Sequence, residues 1–418
     1  MGFFGGGGTT TDRIKTAHVQ DVGYGSPIKI CYGTNRVAPL LGTLRDFEAT
    51  EHEAGKGLGG GSTWYTYKAS VMMFICEGQV RGIGRLWRNK DKHANYTKAG
   101  FNFARSGGMA QTAWPFLLST NAPEALNYSN TALIAGSGYD LGTEATIGSH
   151  SIEVFGRCLS TQSTDQNYTD AYIKDVVDDF LHNPYYGALD ASTTTIPLAT
   201  DDMHAYCCAR NILISPVLDT QKPAHDYLTE WALVANAGIV WSEGRLKFRP
   251  YADEAFTGHG VSYVPNTAIM YIFDDDNVDE PIQPTRKKPV DCYNKVAVEC
   301  LNRAKEYNKF TIDVSDQANI AQFGLRPDAV LSLSCLLNPV IAKIVAHTVL
   351  QRGLYIRNTY EISTFCEADQ LEPLDFVSIT DTGLGLDNAR CRITSIRDEQ
   401  DGRLHITVEE APEGVYCG

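Results

Sequence analysis

The chain has 418 residues, 43% hydrophobic and 21% charged, a composition that excludes a disordered polymer and is too long for one ordinary core. Its 36 basic against 50 acidic residues leave a net charge of −14, which excludes wrapping DNA through a basic footprint. That acidic surface either aids solubility or lets nucleic acid slide past without sticking.

The N-terminal residues 1–12 are a Gly/Thr tail, expected to be flexible or to order as an arm against a neighbouring subunit. Two strand-like segments follow around Asp21-Val22-Gly23-Tyr24-Gly25, the second over 27–37. A third strand covers 44–50. Glycines 55, 57, 59, 60 and 61 then break all periodicity. They lack the order of a phosphate-binding loop and suit the tip of a long hairpin. The returning strand, 64–76, carries Trp64, Tyr65 and Tyr67 near its start. Strands at 80–89, 132–135 and 151–157 continue the β-rich pattern, and 112–126 is ambiguous, open to a short helix packed under the sheet.

A polar linker is expected at 159–167. Three helices come next. The first buries Ile173, Val176, Val177, Phe180 and Leu181, with Thr169 as cap and Asp170 in its first turn. The second spans about 201–211 after the cap candidate Thr200. The third starts at Pro223, buries Tyr227, Leu228, Trp231 and Ala235, and is closed by Gly238. A hairpin follows, 239–241 and 246–248, turning at Ser242-Glu243-Gly244-Arg245. Residues 274–288 read as a connection, 291–302 as a strand, and 306–323 as an extended excursion or a short helix. Asn338 caps a helix with Pro339 in its first turn and Ile341, Ile344, Val345 and Thr348 at helical spacing; Gly353 is its expected stop. Four strands close the chain at 354–365, 374–380, 389–397 and 403–409. The expected fold class is α+β, mostly β, with two tube-type antiparallel β-barrel-like domains flanking a mixed helix/hairpin domain. The expected boundaries are 1–160, 161–285 and 286–418.

The search for chemistry yields little. The eleven cysteines show no C-x-x-C spacing and read as buried thiols made in a reducing cytoplasm. His204 and Cys208, four apart on a helix, are the best thiol pair, but Met203, Tyr206 and Cys207 trace an apolar face there. The paired acids Asp178-Asp179, Asp201-Asp202 and Glu409-Glu410 lack the separated placement a glycosidase needs. The run Asp274-Asp275-Asp276 lacks the order and mid-loop Gly of a calcium loop. No apolar run approaches ~20 residues, so no membrane span is expected. The N-terminus shows no secretory signal pattern. No catalytic residue, cofactor-binding residue, metal ligand or cofactor is therefore expected.

Several ordered stretches resemble one family. They are 26–39, with Tyr32-Gly33-Thr34-Asn35-Arg36; Cys76-Glu77-Gly78-Gln79-Val80; His182-Asn183-Pro184-Tyr185-Tyr186-Gly187; and Trp241-Ser242-Glu243-Gly244. Asp316-Gln317-Ala318-Asn319-Ile320, 355–361 and Leu371-Glu372-Pro373-Leu374-Asp375 complete the set. The set resembles the hub region of tail tip proteins of long-tailed bacteriophages, similar in role to lambda-like tip attachment proteins and to contractile-tail baseplate hubs. The resemblance implies a structural virion protein rather than an enzyme. It implies a homotrimeric ring that caps the tail tube, adapts sixfold to threefold symmetry and opens for genome ejection. The implied partners are further copies of the chain, distal tail and tail tube proteins, other tail tip or fibre proteins, and phage DNA in transit without stable binding. The implied location is the virion tail tip, after folding in the host bacterial cytoplasm. Ending at Gly418, the chain is expected to be a short hub that leaves receptor binding to its neighbours. Two other functions compete with it: a tail-borne receptor-binding module using Trp64, Tyr65 and Tyr67, and a cell-wall hydrolase.

Overall fold

A computed structural model of the chain describes residues 13–17, 26–54, 62–158, 170–189, 196–399 and 402–417. The expected flexible tail 1–12, the strand-like segment around 21–25, the glycine tip 55–61, the linker 159–167 and the Thr169 cap lie outside them. The fold is mostly β and divides into two compact units. One runs to Asp170 and adds Ser215–Gln221; the other comprises Ala171–Ile214 and Lys222–Gly418.

The first unit is built on a long hairpin. The strands are β1 (Thr34–Val37), β2 (Leu40–Ala54), β3 (Ser62–Glu77), β4 (Gly82–Arg88), β5 (Phe103–Ser106), β6 (Thr131–Gly142) and β7 (His150–Phe155). β2 and β3 pair antiparallel from Leu40↔Phe74 to Ala54↔Ser62, as the hairpin reading expects. β3 also pairs with β6, and β6 with β5, in a six-stranded sheet. β1, β7 and β4 belong to a separate four-stranded sheet. Strand alternation assigns the faces of β3. Val71, Met73 and Ile75 join Ile134, Ile152 and Val154 in the main core. Met72 points the other way, to Trp114 and Leu117. Leu117 lies on the short helix Pro115–Thr120, which resolves the ambiguity at 112–126. Gly156 is needed by a close approach of chains: a Cβ there would stand 2.7 Å from the Gly33 carbonyl oxygen and would also meet that of Cys31.

The second unit begins with α1 (Ile173–His182), α2 (Asp201–Ala209) and α3 (Ala224–Val234). The apolar face read for α1 is buried, and Phe180 meets Trp231 of α3 edge-on at 5.2 Å between centroids. Three expected end signals do not operate as read. Asp170 lies outside α1 and accepts a 2.6 Å hydrogen bond from the Ser215 hydroxyl. The Thr200 side chain makes no capping bond to α2. Asn236, at φ 47°, takes the left-handed position after α3, while Gly238 sits in the following strand. That strand, β8 (Ala237–Ser242), pairs with β9 (Arg245–Pro250) around Glu243-Gly244, both at positive φ as a two-residue hairpin turn requires.

Two sheets follow. β10 (Ile269–Phe273), β11 (Gln283–Arg286), β14 (Asn358–Thr364), β15 (Phe376–Asp381), β16 (Leu386–Asp398) and β17 (Leu404–Glu410) form a six-stranded sheet. Its order is β10-β15-β16-β17-β14-β11. β12 (Lys295–Asn302) and β13 (Asn308–Ser315), with Leu331–Ser332, form a three-stranded one. α4 (Pro339–Tyr355) begins where the sequence says, Asn338 accepting from the Val340 amide at 3.0 Å. It runs through Gly353, which is not its stop, and it packs on β12 and β13 rather than on the last strands. The 306–323 segment takes both forms left open, β13 and then the helix Gln317–Phe323. Both six-stranded sheets are open in strand order among the described residues, with no strand joining first to last.

Candidate functional site

Most of the residues singled out for chemistry have structural partners. The Cys208 sulfur lies 3.6 Å from both ring nitrogens of His204. Burial pushes the Cys208 thiol up to about 11, which leaves it protonated and a poor nucleophile at neutral pH. Burial also lowers the His204 imidazole, whose ring meets Tyr172 edge-on. Asp178 lies 3.0 Å from His182 Nδ1, and Asp179 accepts from the Tyr186 hydroxyl at 2.6 Å and from Asn183 at 3.0 Å. These contacts close the end of α1. Asp201 accepts from Lys174 Nζ at 2.6 Å. Glu410 accepts from the backbone amide and side chain of Asn358 at 3.0 and 2.7 Å, and Glu409 from the Tyr416 hydroxyl at 3.0 Å.

The acid run forms a turn. Asp274 accepts from the Asp276 amide at 3.1 Å, and Asn277 accepts from the Asp274 amide at 3.1 Å. Among the described residues no group of three or more His, Cys, Asp or Glu side chains could hold a metal ion. A concavity of about 420 Å³ is lined, among the described residues, by Gln79, Val80, Arg81, Gly156, Arg157 and Cys158, none of them a carboxylate. A second, of about 190 Å³ near Arg352, has Glu409 as the one carboxylate among its described lining residues. The aromatic platform is mostly packing. Tyr67 is buried and accepts from the Ile14 amide at 2.8 Å, Tyr65 is half-buried, and only Trp64 is exposed, stacked on His52 at 5.4 Å.

The surface that stands out belongs to the six-stranded sheet of the second unit. Its inner face is a closed core of Phe273, Ile362, Val377, Ile379, Ile393, Ile406 and Val408. The hairpin β8–β9 is fastened to the loop before β15. Lys247 donates to Glu372 at 2.6 Å, and Arg249 to Asp375 at 2.9 Å and to the Pro373 carbonyl at 3.0 Å. Around the loop 372–375 these bonds satisfy groups on both elements. The two edges of the sheet are different. β10, at one edge, buries Phe273 but leaves Ile269, Met270 and Ile272 exposed by 41, 50 and 50%. β11, at the other, is exposed at all four positions and contains Pro284, which lacks an N–H. Neither edge strand was found by sequence reasoning. β11 lay inside the expected connection 274–288. β10 was unassigned, although Ile-Met-Tyr-Ile-Phe between Asn266 and the acid run is a strand signal. Its missing alternation between apolar and polar residues is the mark of an apolar outer face.

Comparison with known proteins follows the same division. Residues 223–396, all in the second unit, match the family described as putative phage tail protein. No curated protein matches the chain. A chain from the virion of a native gene transfer agent particle is 16% identical with a TM-score of 0.65, over 97% of this chain and 90% of that one. A 43 kDa prophage tail protein from Shewanella oneidensis is 12% identical with a TM-score of 0.37, over 92% of this chain and 100% of that one. A tail protein from Neisseria meningitidis is 10% identical with a TM-score of 0.40, over 92% and 98%. The gene transfer agent chain shares the fold across nearly the whole length. The family match thus rests on residues 223–396, and the shared fold extends over nearly the whole chain.

Proposed function

We propose that the chain is a structural component of the tail tip, the baseplate hub, of a phage-like particle. Three copies form a ring that caps the tail tube, matches its sixfold symmetry through two tube-type β domains per chain, and opens to release the genome. The barrel-like character of those domains belongs to the assembled ring, where open sheets gain neighbours. In this reading 1–160 and 286–418 are the tube-type domains around the mixed region 161–285. The ring's partners are distal tail and tail tube proteins and other tip or fibre proteins, and DNA passes without stable binding. The chain folds in the host cytoplasm before entering the virion.

The observation that carries the reading is the likeness in fold to a virion chain over 97% of this chain. The net charge of −14 supports it, since a lumen of that sign does not retain DNA. The test is cryo-electron microscopy of particles carrying a tagged copy of the chain. Threefold density for the tag at the distal end of the tail is the expected result. Density along the tube, at the capsid or in a peripheral fibre refutes it. Clearing of a cell-wall zymogram by the purified chain would establish the hydrolase instead.

A further inference from the structure

The two edges of the second unit's six-stranded sheet carry opposite charge at the same end. Strand directions follow from the pairings. β10 runs parallel to β15, and each later step, β15 to β16, β17, β14 and β11, is antiparallel. Four reversals bring β11 back to the direction of β10. The C-terminal ends of both edge strands therefore lie at one end of the sheet. Beyond β10 comes Asp274-Asp275-Asp276, with Asp275 and Asp276 exposed. β11 ends at Arg286 and is followed by Lys287 and Lys288, all three exposed. The N-terminal ends do not mirror this arrangement. Uncharged residues 264–268 precede β10, and Asp279-Glu280-Pro281 precedes β11, with Asp279 held by Arg403 at 2.7 Å.

We infer that β10 of one copy docks edge to edge, in parallel, against β11 of a second copy, pairing Asp275 and Asp276 with Arg286 and Lys288. The contact is head to tail. A rotation about an axis along the strands adds a copy without reversing any strand, so the acidic end of one edge meets the basic end of the other. The exposed side chains of Ile269, Met270 and Ile272 flank the junction and are covered by it. A twofold pairing of β10 with itself is antiparallel and sets each acid run beside the uncharged residues 264–268, which gains no ion pair. Head-to-tail contacts close into a ring when the rotation divides a full turn. The inference rests on the proposed ring for that closure, and on the edges alone for the contact.

The experiment is sedimentation velocity on the full chain across a concentration series, at low and at high ionic strength. Wild type is expected to self-associate, more strongly at low salt. The variant Asp275→Lys with Asp276→Lys, and the variant Arg286→Glu with Lys288→Glu, each turn two attractive pairs repulsive and weaken association by about tenfold. The chain carrying all four changes restores opposite charge across the edge and regains wild-type association. Circular dichroism on every variant confirms an unchanged fold. A wild type that stays monomeric throughout, a basic-edge variant that associates like wild type, or a four-fold variant that stays monomeric overturns the inference. Tag density at the tail tip with any of those results leaves the tail reading standing and refutes this edge alone.

Discussion

Arg392 is nine-tenths or more buried, and replacing it separates what volume does from what charge does in the second unit. Its guanidinium carbon lies 4.1 Å from the Phe376 ring centroid and 4.2 Å from that of Tyr416, and Nη1 donates to the Tyr251 carbonyl at 2.6 Å. Burial lowers its pKa, opposed by Tyr416, Glu409 and Asp253. Arg392→Ala empties the space between two rings, a loss of about 3 kcal/mol for a large buried side chain. It also removes two desolvated cation–π contacts and strands a carbonyl, about 1–2 kcal/mol more after the cation's own desolvation cost is recovered. The expected total is roughly 4–5 kcal/mol. Arg392→Met keeps most of the volume and escapes the cost of burying a charge, so its expected loss is under about 2 kcal/mol. Urea titration followed by tryptophan fluorescence and by circular dichroism measures both. An Ala variant within about 1 kcal/mol of wild type, or a Met variant as unstable as the Ala one, refutes the reasoning.

Three further perturbations test other parts of the fold. Burial lowers the His150 pKa from 6.5 to about 4, with Tyr139 Oη 2.8 Å from Nε2. The unfolded chain therefore takes up a proton at this site first on acidification, and stability falls as pH drops from about 6.5 to 4, by up to on the order of 3 kcal/mol. Urea midpoints across that window should decline in wild type and decline less in His150→Gln; equal slopes count against it. Asn338→Ala should cost about 1 kcal/mol by removing the cap of α4, read by thermal denaturation, with Asn338→Asp close to wild type. Gly156→Ala forces a methyl against two backbone carbonyls and should cost about 3 kcal/mol or more, read as soluble yield and urea midpoint. A soluble Ala variant with an unchanged midpoint would show that the chains there can part.

Much of the scaffold could be read directly from the residues. The β2–β3 hairpin, the apolar face of α1, the β8–β9 turn at Glu243-Gly244, the Asn338 cap and the last four strands all appear where their local signals lie. Each signal acts over a few residues: alternation, 3.6-residue spacing, a left-handed turn position or a capping side chain. Gly353 and Gly238 misled for the same reason. A glycine permits a stop without enforcing one, and neighbouring packing carried α4 to Tyr355 and put Gly238 inside β8.

What the sequence by itself determined, then, is the set of local elements, the mostly β character and the ordered stretches that resemble tail proteins. Only the tertiary structure decided that α4 lies on β12 and β13, that Asp201 of α2 binds Lys174 of α1, and that β10 and β11 are the two ends of one sheet. The physical reason is distance along the chain. Sheet order and edge identity depend on pairings between residues tens of positions apart, such as Arg286↔Asn358 and Ile269↔Phe376, and no local pattern encodes which strand is left without a neighbour.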